Sequence, residues 1–240
     1  MTKIINSLIV KILFIFCLIV FFVSTSALFA FGEIRLYDYG FTKYHISEET
    51  GISEDNLQFT ALEIIDYLVG DSNILDVQID EQSLFNKKEI FHMTDVKALL
   101  ESVNVAKLIS FSFLLLYSGL ILNPVSSLKD KSFVINLLSI VDFFRFSSVI
   151  ALLVILVLGV ALLAAFRPLF YLFHNISFRN DYWQLDPSSD YLIRLFPEGF
   201  WIDATLILTL VVLLLTTGTF IFFSILKRFV ARKLLSSFDN

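Results

Sequence analysis

The 240-residue chain holds one cysteine, Cys17. A single thiol excludes a disulfide framework and any cysteine-based metal site. Set inside an apolar stretch, it reads as a small hydrophobe. Phe16 stands where a lipoprotein signal would need a small residue. Charge is also scarce, at 17% of residues, against about 25% in soluble domains. No nucleophile elbow, His-Glu-x-x-His zinc motif or phosphate loop occurs, and the eight glycines are scattered. Internal repeats and low-complexity tracts are lacking too. What is abundant is apolar: 57% hydrophobic residues, 27 Phe and a mean hydropathy of +0.79. These values exclude an ordinary soluble class.

A membrane-spanning helix needs about 20 mostly apolar residues. Four stretches qualify: Leu8–Ala30, Val105–Leu122 before Asn123-Pro124, Ser148–Leu169, and Ala204–Leu226 before Lys227-Arg228. A cleaved signal peptide competes for the first, since Ser24, Ser26, Ala27 and Ala30 are small. Its apolar run exceeds the ~7–15 residues of a signal core, which favours an anchor. Segment 132–146 carries Asp142 and Arg145 and follows Lys129-Asp130-Lys131. It reads as an interfacial helix leading into the third span.

Lys3, Lys129, Lys131, Arg145, Lys227, Arg228, Arg232 and Lys233 fall on one side, with few acids. The other side holds segment 32–104, with fifteen Asp and Glu against five Lys and Arg, and segment 173–203. The positive-inside rule places both termini in the cytoplasm and the acidic segments outside. The expected architecture is an α-helical polytopic plasma-membrane protein. It has four transmembrane helices and a small, mostly helical extracytoplasmic domain between the first and second. Its parts are 1–31 (first span), 32–104 (extracytoplasmic domain), 105–123 (second span) and 124–147 (cytoplasmic loop and interfacial helix). There follow 148–172 (third span), 173–203 (aromatic-rich extracytoplasmic loop), 204–226 (fourth span) and 227–240 (cytoplasmic tail).

Segment 32–104 contains no proline and shows local order. Ser53 before Glu54-Asp55 marks a helix start. Leu57, Ala61, Ile64, Ile65 and Leu68 continue it at helical spacing, and Gly70 suits its end. Residues 74–79 partly alternate and suggest a short strand. Asn86 with Glu89 resembles a capping box that opens a helix through His92 and Leu99. In 173–203, polar groups alternate with aromatics, and both tryptophans, Trp183 and Trp201, lie there. An interfacial aromatic belt explains Trp201, whereas the whole cluster suits a binding loop on the membrane surface.

Of three histidines, His45 has nothing to distinguish it. His92 has Asp95 one helical turn on, where a carboxylate would fix its tautomer. A structural surface pair is the alternative. Arg167, Tyr171 and His174 are spaced i, i+4 and i+7 and share a helix face near the headgroups, although Arg167 also suits snorkelling to the interface.

Two segments carry a family resemblance. One is Glu89 with Phe91-His92-Met93-x-Asp95-Val96-Lys97. The other runs from Phe173-His174 through Trp183, Asp186-Pro187, Asp190 and Phe196-Pro197-Glu198 to Phe200-Trp201. With Tyr67-Leu68-x-Gly70, they resemble the bacterial membrane family that includes the lipoprotein intramolecular transacylases. The resemblance covers nearly the whole chain. It implies transfer of the sn-2 acyl chain of a diacylglyceryl lipoprotein to the α-amine of its N-terminal cysteine, giving a lyso-form lipoprotein. The family's motif histidines fall on His92 and His174, which takes the catalytic role to those two. Asp95 is added as the group orienting His92, and Arg167 or Tyr171 as stabilising negative charge. Trp183 and Asp190 are expected to bind substrate. Because the substrate supplies its own amine, no activated serine or cysteine is needed, only a base, an acid and a donor to the oxyanion.

Diacylglyceryl lipoproteins and membrane lipid are thus the expected partners, with no cofactor, no metal and no nucleic acid; oligomeric state is left open. One difficulty accompanies the expectation. A straight helix from Asn86 into the second span would set His92 about 13 residues, roughly 20 Å, above the bilayer, too high to meet His174. If the histidines cooperate, the helix must break or lie along the surface, with Ser102–Asn104 as the expected bend. A non-enzymatic membrane protein whose extracytoplasmic domain binds a partner is the rival. Sparse intramembrane charge and the absence of broken-helix pairs argue against a transporter.

Overall fold

A computed structural model describes residues 7–122 and 131–236. Lys3, Asn123, Pro124, Lys129 and Asp130, invoked above, lie outside the described residues. The elements in order are α1 (Leu8–Gly32), α2 (Ile34–Lys43), α3 (Ile46–Thr50), α4 (Glu54–Val69), β1 (Gln78–Ile79), β2 (Gln82–Ser83), α5 (Lys87–Leu122), α6 (Lys131–Ala164), α7 (Phe166–Ser177), α8 (Tyr191–Leu195) and α9 (Glu198–Ser236). Four of these, α1, α5, α6 and α9, are long and apolar enough to cross a membrane. The chain divides into two units. The first is Met1–Thr25, Val105–Leu158 and Thr209–Asn240; the second is Ser26–Asn104 and Gly159–Leu208.

The first unit is built on aromatic packing. Phe14 is fully buried, with Tyr117, Phe143 and Phe144 at ring-centroid distances of 4.9, 4.8 and 5.0 Å. Phe144 also stacks on Phe223 at 4.3 Å. Between lipid-embedded helices such close contact replaces the hydrophobic effect as the source of stability. Cys17 is buried, as its apolar neighbours predict. The segment 132–146 is helical and leads into the third span without a break, as one helix, α6. The charges that argued against a fifth span there are paired within the unit. Asp142 accepts from Arg145 at 2.9 Å and from Lys227 at 2.8 Å, and Arg145 Nε donates to Ser224 at 3.0 Å. Pairing lowers the cost of holding such groups near hydrocarbon.

The second unit has its own core. Tyr37, Phe41, Leu57, Ala61, Ile64 and Leu68 from α2 and α4 meet Met93 and Leu100 of α5 and Leu192, Leu195, Phe196 and Phe200. Ser53 caps α4 as its sequence predicts, with Oγ accepting from Asn56 N–H at 3.3 Å. Gly70 ends α4, but at φ −94, outside the left-handed region. The reason for glycine is close approach: a Cβ there would lie 2.8 Å from the Asp66 carbonyl oxygen. Of the strand expected over 74–79, only Gln78–Ile79 pairs, with Gln82–Ser83. Asp80 and Glu81 take the positive φ that a two-residue hairpin turn requires. Leu75 and Val77 are still buried alternately ahead of it.

The reciprocal capping box at α5 forms. Asn86 Oδ1 accepts from Lys88 and Glu89 N–H at 2.9 and 3.1 Å, and Glu89 Oε2 accepts from Asn86 N–H at 2.8 Å. The predicted bend at Ser102–Asn104 is absent, since α5 is continuous over 36 residues. At 1.5 Å per residue it spans about 54 Å, well over a hydrocarbon core of about 30 Å. Residues 108–122, past Lys107, carry no charge and are mostly apolar. Residues 87–104, with Lys87, Lys88, Glu89, Asp95, Lys97 and Glu101, are too charged for a hydrocarbon core. The break falls in the other partner: Ala165, at φ −136 and ψ 42, separates α6 from α7 and lets α7 take its own direction.

Candidate active site

Two backbone devices assemble the site within the second unit. Glu89, fully buried one turn before His92, extends its capping role to a second helix, as Oε1 accepts from Leu192 N–H of α8 at 2.6 Å. One carboxylate thus satisfies backbone donors of both α5 and α8. Burial pushes its carboxyl up, and the backbone N–H groups oppose this by favouring the ionised form. The loop between α7 and α8 is tied to the exposed flank of α5. Lys88 Nζ donates to Gln184 O at 2.5 Å, Phe91 stacks on Tyr182 at 5.1 Å, and Asn180 Nδ2 donates to Asp95 Oδ2 at 2.8 Å.

This arrangement brings the two motif histidines together. Their ring centroids are 6.2 Å apart at 36°, and both side chains are buried, each residue 8% exposed. Nδ1 of His174 lies 2.8 Å from the Phe170 carbonyl oxygen. A carbonyl only accepts, so Nδ1 carries the proton and Nε2 keeps its lone pair. Phe170 and Trp183 lie 4.1 and 5.1 Å from the His174 ring, and Phe178 contacts both imidazoles, at 5.2 Å from His92 and 5.5 Å from His174. Burial pushes His92 down to about 4, aided by the neighbouring His174 and opposed by Asp95. Burial likewise lowers His174, partly offset by its bond to Phe170. Near neutrality both rings are uncharged.

Other expected site residues fare differently. Trp183 is half-buried against His174, with Tyr171 edge-on to it at 5.8 Å. Asp95 does not orient His92: no hydrogen bond joins them among the described residues, because its carboxylate is turned to Asn180. Arg167 is exposed and paired to Glu198, with Nη2–Oε2 at 2.7 Å and Nε–Oε2 at 3.1 Å. A guanidinium so occupied is a poor match for a free anion stabiliser. Asp190 is buried and accepts from Asn86 Nδ2 at 2.8 Å and Asp186 N–H at 2.7 Å. These bonds tie the loop to the start of α5. His45 stays outside the site, exposed and 3.8 Å from Glu48.

Residues that sequence reasoning passed over are Phe170, Phe178 and Asn180. Phe170 sits one turn before His174, the spacing at which its carbonyl can meet an imidazole. Nothing local distinguishes the other two. Among the described residues, no three His, Cys, Asp or Glu side chains converge as a metal site.

Comparison with known proteins completes the description. The chain resembles solved structures of the membrane-integral lipoprotein intramolecular transacylase Lit from Bacillus cereus. One matches with a TM-score of 0.73 at 18% identity, covering 98% of this chain and 100% of that one. Another, with one histidine replaced by arginine, gives 0.69 at 18% identity over 95% and 93%. These likenesses establish the shared fold. An uncharacterised protein of Aquifex aeolicus (strain VF5) is 31% identical over 139 residues, and the match spans 56% of each protein's length. A family model described as lipoprotein intramolecular transacylase Lit matches residues 12–201. With most of the sequence inside that match, the chain belongs to the lipoprotein intramolecular transacylase family.

Proposed function

We propose that this protein moves the sn-2 acyl chain of a diacylglyceryl lipoprotein to the α-amine of the lipoprotein's N-terminal cysteine. The observation that carries the reading is the pair of buried, neutral imidazoles, one with its tautomer locked by Phe170. His174 Nε2 is the base: it takes the proton as the amine nitrogen attacks the ester carbon. His92, neutral and so bearing one N–H, donates to the oxyanion across the gap between the rings. Collapse breaks the carbon–oxygen bond to glycerol, and the proton held on His174 passes to the departing sn-2 alkoxide. An amide forms, an ester is lost, and one proton moves from nitrogen to oxygen. The step balances without a further reactant.

Phe170, Phe173, Phe178 and Trp183 surround His174. They exclude water that would otherwise hydrolyse the ester. Trp183 is the residue in this wall placed to contact substrate.

The acidic balance of segment 32–104 and the Lys and Arg of the opposite side support both termini in the cytoplasm, with the site on the extracytoplasmic face of the plasma membrane. Membrane lipid would then be the medium through which the lipoprotein arrives. The test is expression in a host whose lipoproteins are diacylated, followed by mass spectrometry of a lipoprotein N-terminal peptide. The lyso form should appear, and vanish with His174→Ala. A diacyl peptide unchanged despite good expression would overturn the proposal in favour of a partner-binding membrane protein.

A further inference from the structure

Asp95 follows His92 by three residues on α5, which sets both side chains on one helix face. Nδ1 of His92 is nevertheless buried without a hydrogen-bond partner among the described residues. An unpaired buried polar atom is costly, and a carboxylate stands one turn away. Some other contact must therefore hold that carboxylate back. It is Asn180, whose Nδ2 donates to Asp95 Oδ2 at 2.8 Å. The amide is fixed in this sense, because Asn180 Oδ1 accepts from Tyr182 N–H at 3.1 Å. Two residues earlier, Phe178 lies edge-on to the His92 ring at 5.2 Å. One short stretch of loop thus supplies an apolar wall to His92 and an amide to its carboxylate neighbour.

We propose that Asn180 is a positioning residue: it engages Asp95 so that the carboxylate does not bond His92, and so keeps the His92 ring uncharged. A carboxylate on Nδ1 would favour the imidazolium and replace a neutral pair of rings by a charged one. The titratable groups acting on His92 are His174 from α7 and Asp95 from its own helix. Phe178, which packs on it from the loop, brings no charge. For its effect on activity the inference rests on the acyl-transfer reading, but the protonation of His92 does not.

The test uses the full chain in lipid nanodiscs, with histidine ring protonation followed by NMR. In the parent, His92 titrates well below an ordinary histidine. Asn180→Ala should move its midpoint up by about one to three pH units, and Asp95→Asn added to it should return the midpoint to the parent value or below, since Asp95 already raises it in the parent. The acid limb of the lyso-forming activity should move and recover in step. Asn180→Leu, which keeps the side-chain volume, replaces the alanine variant if that one is unstable. An unmoved His92 midpoint in a folded Asn180 variant overturns the inference, even if activity falls, because a plain loop anchor predicts that result. A midpoint that moves and recovers in a protein making no lyso form supports the positioning role and refutes the acyl-transfer reading instead.

Discussion

The two units of this molecule solve the same problem, satisfying buried polar groups, in opposite ways. In the first, long helices satisfy their own backbones, and Asp142 is paired with both Arg145 and Lys227. In the second, the chain turns often, and buried polar side chains satisfy the exposed helix ends. Glu89 serves two helices, Asn86 and Asp190 bond each other, and Asp190 also receives Asp186 N–H. Irregular chain needs a named partner for each orphaned donor. It also brings residues 92, 174, 180 and 183 together, which helices packed side by side along their length would not. The proposed site lies where backbone satisfaction is least repetitive.

The sharpest way to break the comparison is to remove an imidazole. His174→Ala and His92→Ala should each lower lyso-form production by at least about 10²-fold, while Asp142→Asn, in the first unit, keeps most of it. Mass spectrometry of the lipoprotein peptide checks both. Comparable losses from all three would mean that the chemistry is not confined to the second unit.

Next in size is Glu89→Ala. It bares the N–H groups of Asn86 and Leu192, at about 1–3 kcal/mol for each buried donor left unpaired. Amide exchange should accelerate at the start of α5 and in α8, with the first unit unaffected. Uniform acceleration throughout would show that the units do not open separately.

Acidification should act on the second unit more mildly. Burial holds both rings neutral, so below an ordinary histidine value of about 6.5 the unfolded chain binds more protons than the folded one. The stabilising contribution is complete above that value and is lost as pH falls through about 4 for His92. Trp183 and Trp201 both lie in this unit, so the melting temperature followed by tryptophan fluorescence should drop between pH 7 and pH 5. A melt that does not change over that range would contradict the burial of these rings.

Arg167→Ala should have the smallest effect. An exposed ion pair contributes little, so activity should stay within about threefold of the parent on that ground. A loss comparable to that of His174→Ala would restore Arg167 as the anion stabiliser that its sequence position suggested.

Much of this was legible in advance for local reasons. The spans follow from hydropathy, the α4 and α5 caps from side chains within three residues of the helix ends, and the burial of Leu75 and Val77 from alternation. Two of the missing facts were long-range. Asp142 and Arg145 set their segment apart from the spans because Lys227, 85 residues from Asp142, was not visible as its partner. Asp95 looked like the orienter of His92 because Asn180, also 85 residues away, was not visible as its competitor. The break expected at Ser102–Asn104 is found instead at Ala165, three residues before Pro168, whose ring and missing N–H disfavour continuing α6 through it.

By itself, the sequence determined that four helices are long and apolar enough to span a bilayer and where the principal caps fall, and it singled out His92 and His174 as candidates, since each depends on neighbours within a turn or on a long motif. Only the tertiary structure decided that the rings face each other, that Phe170 holds the tautomer of His174, and that Asp95, Arg167 and Asp190 are engaged elsewhere. Periodicity records which face of a helix is buried. What that face meets depends on chain that returns from 85 to 103 residues away, and no local pattern encodes it.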